Sequence, residues 1–241
     1  EKESNLIASG LLHYGLKKGD RVLVMVPYGV DFVTLTFGLF KAGAVPVLID
    51  PGLGKKNVLR CIKQSEPQGI IAIPLVHAVK TLIPAPFKSI RLSVTVGRKW
   101  FWRGPTLDQV KRNGQPGYQV GNIPEEQAAA VLFTSGSTGP AKGVLYTHGM
   151  FGQQIRILCE HFGILPGEKD LPTFPLFGLF STGMGMTSVI PDMDPTHPAK
   201  VNPENIIHPI QNYHITSSFG SPALWDTVSR YCQKSKIKLP S

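Results

Sequence analysis

Between Phe133 and Val144 the chain sets glycines at 136, 139 and 143, hydroxyl side chains at Thr134, Ser135, Ser137 and Thr138, and one lysine, Lys142. Glycine lets backbone N–H groups approach and converge on an anion, hydroxyls add further donors, and an ammonium adds a compact positive charge. Such a set suits the oxygens of a polyphosphate, with an ordinary glycine-serine turn as the structural alternative. A Walker loop requires a hydroxyl residue directly after the lysine, whereas Gly143 follows Lys142. Gly-x-Ser-x-Gly and Gly-x-Gly-x-x-Gly are both absent from the segment, so a nucleophile elbow and a dinucleotide fingerprint are excluded there.

Other residues capable of chemistry are dispersed. Cys61, Cys159 and Cys232 lack ligand spacing, and read as small apolar side chains rather than zinc ligands or a disulfide framework. The seven histidines form no helical ligand pair, and His148, just after the loop, is given no catalytic role. Asp192 and Asp194 stand among prolines and read as turn residues rather than metal ligands.

The loop needs a scaffold, and the first half of the chain supplies alternating strand-like and helix-like segments, the pattern of βαβ units around a parallel sheet. Continuous apolar runs at 21–26, 44–49, 69–73 and 90–96 read as buried strands. Helical periodicity covers 6–14, 30–41 and 57–63, while Asp50-Pro51-Gly52 reads as a turn and 97–122 as a long loop. Strand 127–134 delivers the glycine-rich loop, 143–146 leaves it, and Thr147 caps a helix through Phe162. Further on, helices are expected over 178–188, 203–212 and 222–233, with Ser221-Pro222 as a helix start, and a strand over 215–219. The fold class is α/β: two doubly wound α/β subdomains, residues 1–167 carrying the loop 133–143 and residues 168–241 opening a second subdomain that stays incomplete.

The run Thr134-Ser135-Gly136-Ser137-Thr138-Gly139-Pro140-Ala141-Lys142-Gly143, after an apolar strand and before Tyr146-Thr147-His148, resembles the signature of the AMP-forming acyl-CoA synthetase, luciferase and peptide synthetase adenylation-domain superfamily. Gly15 to Val22, Lys41-Ala42-Gly43-Ala44 and Phe174-Pro175-Leu176-Phe177 resemble further segments of that superfamily, so the likeness spans the chain. It implies attack of a carboxylate on the α-phosphorus of ATP, with Mg²⁺ as accompanying ion. Thr134, Ser135, Gly136, Ser137, Thr138, Gly139 and Lys142 would bind ATP and pyrophosphate, and Phe177 and Gly178 would line the acyl pocket. Many relatives carry histidine where this chain has Gly178, so no histidine role transfers and the pocket is expected to be different or roomier. Val189 to Thr196, Phe219 to Leu224 and the loop 96–107 look most like the β-lactone synthetase branch of olefin biosynthesis and related long-chain acyl ligases. That branch implies activation of a fatty or β-hydroxy fatty acid and closure of a β-lactone by the β-hydroxyl without CoA, while CoA stays open as an acceptor for the superfamily's other ligases. The adenine, ribose, magnesium and catalytic-lysine motifs of the superfamily would follow Ser241, so residues 1–241 alone are expected to turn over poorly.

Composition sets outer bounds. With 42% hydrophobic residues the 241-residue chain can bury a sizeable core. Its net charge of +9 comes as scattered basic pairs and reads as a solvated face, without nucleic acid as partner. The uncharged run 173–191 holds prolines and glycines and is not expected to span a membrane. With no export leader in view, the expected compartment is the cytoplasm. A CoA-dependent acyl ligase and a nonenzymatic nucleotide- or polyanion-binding module are the competing functional readings.

Overall fold

The computed structural model describes residues 1–134 and 141–239, with the backbone alone at Thr134. The chain divides into two compact units, Glu1–Phe151 and Gly152–Ser241. The sequence expectation put the division later, between 167 and 168, just before the strand Lys169–Asp170.

The first unit is built on a six-stranded sheet in the order β4-β3-β1-β2-β5-β6, with β1 Arg21–Met25, β2 Val45–Ile49, β3 Gly69–Ala72, β4 Leu92–Thr95, β5 Ala128–Thr134 and β6 Lys142–Thr147. The first five strands are mutually parallel, and β6 folds back antiparallel on β5. Every residue of β3 is buried, as a strand covered on both faces requires. Burying an isoleucine such as Ile70 or Ile71 stabilises the fold by roughly 1.5–3 kcal/mol. One part of the core joins Leu23, Val47, Ile70 and Phe133 from the sheet to Cys61 and Ile62 of helix α3, Lys55–Ser65. Of the cysteines, Cys61 is buried, which raises its thiol pKa, while Cys159 and Cys232 are only half-buried.

Helices α1, Lys2–His13, and α2, Val30–Lys41, pack closely because Gly38 leaves no side chain against Ile7; a Cβ there would lie 2.6 Å from an isoleucine methyl. In the first unit two helices depart from the sequence expectation. Helix α4, Pro74–Leu82, opens on proline between β3 and β4, in a segment given no element. The supposed long loop 97–122 contains helix α5, Leu107–Arg112, whose Thr106 and Gln109 form a reciprocal capping box. The Thr-x-x-Gln spacing was the legible signal. Helix α5 packs on α1 at Gly10, where a Cβ would meet the Val110 carbonyl at 2.1 Å.

Helix α6, His148–Phe162, follows β6 and spans the division between the units. Thr147 Oγ1 accepts the Met150 N–H at 3.2 Å, the expected cap. The second unit pairs β7, Lys169–Asp170, with β8, Thr187–Ser188, and carries α7 Pro175–Gly183, α8 Glu204–Tyr213 and α9 Pro222–Ser235. Helix α7 starts and ends earlier than periodicity suggested: Pro175 sets its first turn, and Gly185, at φ +77°, turns the chain out into β8. The strand expected at 215–219 is reduced to one parallel bridge, Asp170 to Ser217. Leu171 and Thr173 still donate N–H bonds to the Ser217 and Phe219 carbonyls, while the Leu171 carbonyl accepts the Ser218 hydroxyl at 2.8 Å. Ser221 caps α9 through the Leu224 N–H, as the Ser-Pro pair implied.

Candidate active site

The glycine-rich segment joins two antiparallel strands. Thr134, last in β5, is the register partner of Lys142, first in β6, and Phe133 faces Gly143. Because β5 runs parallel to β2, with Phe133 opposite Ile49, β5 ends and β6 begins at the carboxyl edge of the parallel strands. Open α/β sheets bind their ligands along that edge. Ser135, Gly136, Ser137, Thr138 and Gly139 lie outside the described residues.

The strands below the tip explain why the motif needs glycine at 143. A Cβ at Gly143 would stand 2.9 Å from Cζ of the buried Phe133 and 3.2 Å from a Val131 methyl. Lys142 is exposed and has no ion-pair partner among the described residues, so its charge is available to an anion. The neighbouring carboxylate on β2's exit, Asp50, is engaged in its own turn, accepting the Gly52 N–H at 2.8 Å. This setting fits a polyphosphate: an exposed cation at a strand terminus, with the nearby acid turned to a local bond.

The flanking motif residues are framework. Asp20 accepts the Lys17 N–H at 2.8 Å and pairs with Arg91, locking the approach to β1. Gly43 takes φ +68° to end α2, and its carbonyl accepts the Gly19 N–H at 2.8 Å. His148 places its ring edge-on to Phe40, 5.5 Å away, and its Nε2 is buried without a hydrogen-bond partner among the described residues. Desolvation lowers its pKa, so the ring is neutral near pH 7.

In the second unit, Phe177 is half-buried and Gly178 buried on α7. The Gly178 carbonyl accepts Thr182 Oγ1 at 2.9 Å. Phe177 stacks on Phe219 at 3.8 Å between ring centroids and 25° between planes, and Phe174 lies 5.9 Å away. The sequence did not single out Phe219 as the partner of Phe177; next to it, a Cβ at Gly220 would approach Trp225 Nε1 to 2.7 Å and Thr173 Oγ1 to 2.9 Å. Thr173 holds the Phe219 carbonyl through its N–H and its hydroxyl. Behind the stack, Ser181 bonds the buried Asp170 and the Phe177 carbonyl. Burial raises the Asp170 pKa, against the opposing bonds from Ser181 and Ser217.

A separate cleft of about 380 Å³ in this unit is lined by Ile190, Pro191, Asp192, Asn205, His208 and Tyr213, and includes neither Phe177 nor Gly178. Asp194 accepts the N–H and hydroxyl of Thr196 and pairs with His197, which holds its carboxyl down at about 2; it is a turn residue. Among the described residues no group of three or more His, Cys, Asp and Glu could hold a metal ion, and no helix is long and apolar enough to cross a membrane.

Comparison with known proteins agrees with this geometry. The AMP-binding enzyme family matches residues 1–240. An olefin beta-lactone synthetase of Xanthomonas campestris pv. campestris is 45% identical over 235 residues, covering 97% of this chain and 42% of the relative. Its counterpart in Stenotrophomonas maltophilia is 44% identical over 232 residues, again with 42% of the relative covered. The chain thus spans less than half the length of these curated relatives. Among solved structures, a long-chain-fatty-acid-CoA ligase of Archaeoglobus fulgidus superposes with a TM-score of 0.82 at 23% identity, over 97% of this chain and 46% of that one. The N-terminal domain of a Mycobacterium tuberculosis protein, FACL13, gives 0.82 at 20% identity, over 99% and 59%. These last two establish the fold.

Proposed function

The chain belongs to the AMP-binding enzyme family, and from that premise we propose that the protein containing it activates a carboxylic acid with ATP. The carboxylate oxygen attacks the α-phosphorus, the bond to the β-phosphate oxygen breaks, and acyl-AMP and pyrophosphate result. The observation that carries this reading is the pairing of β5 with β6, whose ends at Thr134 and Lys142 stand at the carboxyl edge of the parallel sheet, with Lys142 in no ion pair among the described residues. Thr134, Ser135, Gly136, Ser137, Thr138 and Gly139 hold the β- and γ-phosphates through hydroxyl and backbone donors, and Lys142 supports the loop or its anion. Charge builds on the departing phosphate oxygens, so fixed donors there stabilise the transition state more than the ground state. Mg²⁺ accompanies ATP in this scheme and supplies further screening of the phosphates.

Phe177, with Gly178 beside it, forms a wall of the acyl pocket, and Phe219 braces that wall. Glycine in place of a larger side chain leaves room for a substituted or long acyl chain. We further assign a fatty or β-hydroxy fatty acid as the substrate class, supported by the 45% identity to a protein named olefin beta-lactone synthetase. The β-hydroxyl would then attack the acyl-AMP carbonyl, losing its proton and expelling AMP, and CoA would not be required.

Full-length protein given ATP and either a fatty acid or its β-hydroxy analogue, with and without CoA, separates the readings. Acid-dependent ATP–pyrophosphate exchange and a β-lactone formed without CoA are expected. A CoA thioester as the sole product would replace the lactone assignment, and absence of acid-dependent exchange would sink the adenylation reading itself.

A further inference from the structure

In the second unit Asp170 is 5% exposed and Ser181 1% exposed, and Asp170 takes part in no ion pair among the described residues. The elements against Asp170 carry no charge to compensate its own. Helix α7, Pro175–Gly183, has no ionisable side chain, and neither has β8, Thr187–Ser188, nor the bridged segment 215–219. On its own strand, Lys169 points to the opposite face, as strand alternation requires. Glu168 is engaged with Thr216 Oγ1 and the Leu165 N–H. Helix α6 meets α7 where Ile155 lies against Gly183, and within this unit its ionisable residues Arg156, Glu160 and His161 are exposed.

Hydrogen positions decide what this arrangement does. Ser181 Oγ lies within hydrogen-bond reach of two acceptors, an Asp170 carboxyl oxygen and, at 2.8 Å, the Phe177 carbonyl. A hydroxyl has one hydrogen to give, so the second comes from the carboxyl. In its acid form Asp170 donates to Ser181 Oγ, and Ser181 donates onward to Phe177. In its carboxylate form Asp170 takes the Ser181 hydrogen, and the Phe177 carbonyl keeps only its intrahelical bond. A serine bonded back to the carbonyl four residues before it bends its helix, and here that carbonyl belongs to the residue stacked on Phe219. Burial favours the acid form; bonds from Ser181, Ser217 and the Leu171 N–H favour the charged one, and burial prevails.

We propose that Asp170, acting through Ser181, is a positioning residue for the acyl wall: its carboxylic acid form holds the Phe177 carbonyl and with it the ring, and its ionisation releases them. This inference rests on the assignment of Phe177 to the acyl pocket under the proposed function. The sign follows from burial. Affinity for the acyl chain is greatest where Asp170 keeps its proton and falls as pH rises through its folded-state value, which lies above the ordinary 3.8.

The test uses the full-length protein and, as probe, a fatty alcohol of the chain length of its acid substrate, which fills the acyl pocket without titrating. Its inhibition constant against the acid, followed from about pH 4.5 to 8, should rise by about threefold to tenfold as Asp170 ionises, the worth of one hydrogen bond. The KM for ATP should not share that step. Asp170→Asn, which keeps a neutral donor at every pH, should hold the low value throughout, and Ser181→Ala the high one. The infrared carbonyl band of a protonated carboxyl, lost in Asp170→Asn, should persist in the parent above about pH 4, where an ordinary aspartate ionises. A flat profile in the parent, a step that survives in Asp170→Asn or Ser181→Ala, or absence of that band overturns the proposal. The parent's profile needs no variant, so a variant that fails to fold leaves the proposal open to refutation. If Phe177→Ala leaves the alcohol's affinity unchanged, the wall assignment falls and the proposal with it. If Phe177→Ala weakens binding while the Asp170 and Ser181 variants keep the parent's profile, the wall stands and only the positioning role falls.

Discussion

The two regions assigned to the reaction are held in different ways. In the first unit the proposed phosphate segment is contiguous in sequence and lies between two paired strands, of which β5 is fixed in register on β2. In the second, the proposed acyl wall is a pair of rings, Phe177 and Phe219, joined by a stack and braced by Thr173, Gly220 and Ser181. Displacing the first means disturbing a sheet core, whereas displacing the second means losing one aromatic contact. The hairpin should therefore tolerate little change near its base, and the wall should yield in affinity before it yields in stability.

Gly143→Val tests the first half of that contrast and should have the largest effect. The added side chain must displace Phe133 or Val131 in a packed core, which costs about 1–3 kcal/mol, read as a lower urea midpoint together with loss of pyrophosphate exchange. A variant as stable and active as the parent would show that the hairpin base is plastic.

Phe177→Ala and Phe219→Ala address the second half. Each should raise the KM for the acid by about tenfold while leaving the KM for ATP in place. Their double-mutant cycle should return a coupling of about 0.5–1.5 kcal/mol for the stacked pair. Additive effects, or a change confined to ATP, would remove Phe219 from the wall.

The smallest effect distinguishes the units by pH. In the first, burial holds His77 below its ordinary value of 6.5, with Lys80 pushing the same way, and desolvation lowers His148 as well. The unfolded chain therefore takes up protons first as pH falls below about 6.5, and the first unit loses stability on acidification. In the second, burial raises Asp170 above its ordinary 3.8, so the stability tied to that group is complete below 3.8 and is lost as pH rises through the folded value. Hydrogen exchange followed by region between pH 6.5 and 4, corrected for intrinsic rates, should show opposite trends on the order of 1 kcal/mol. His77→Phe should flatten the first slope and Asp170→Asn the second; slopes of the same sign in both units would refute the assignment.

Much of this was legible where one local property decided the outcome. The apolar runs became β1 to β5, Thr147 and Ser221 became caps, and Gly43 ended its helix, because propensity, capping and positive φ act over a few residues. Helix α5 escaped notice although its capping box was written in Thr106 and Gln109, since the aromatic, glycine and proline residues around it obscure any period. The strand at 215–219 shrank to a single bridge, with the Ser218 hydroxyl bonded to the Leu171 carbonyl, a side-chain bond that periodicity does not reveal.

The sequence alone determined the family and marked the segment proposed to bind phosphate, because glycines, hydroxyls and lysine in fixed order form one contiguous set of potential donors. Tertiary structure decided which residues serve that segment as framework, bringing Phe133 against Gly143 and Asp20 to Arg91, and it decided that Phe219 backs Phe177 and that Trp102 roots an exposed aromatic loop on His77. Apart from Phe133 and Gly143, those pairings join residues far apart along the chain, and packing between distant segments depends on the strand order and helix crossings of the whole fold, which no short stretch of sequence encodes.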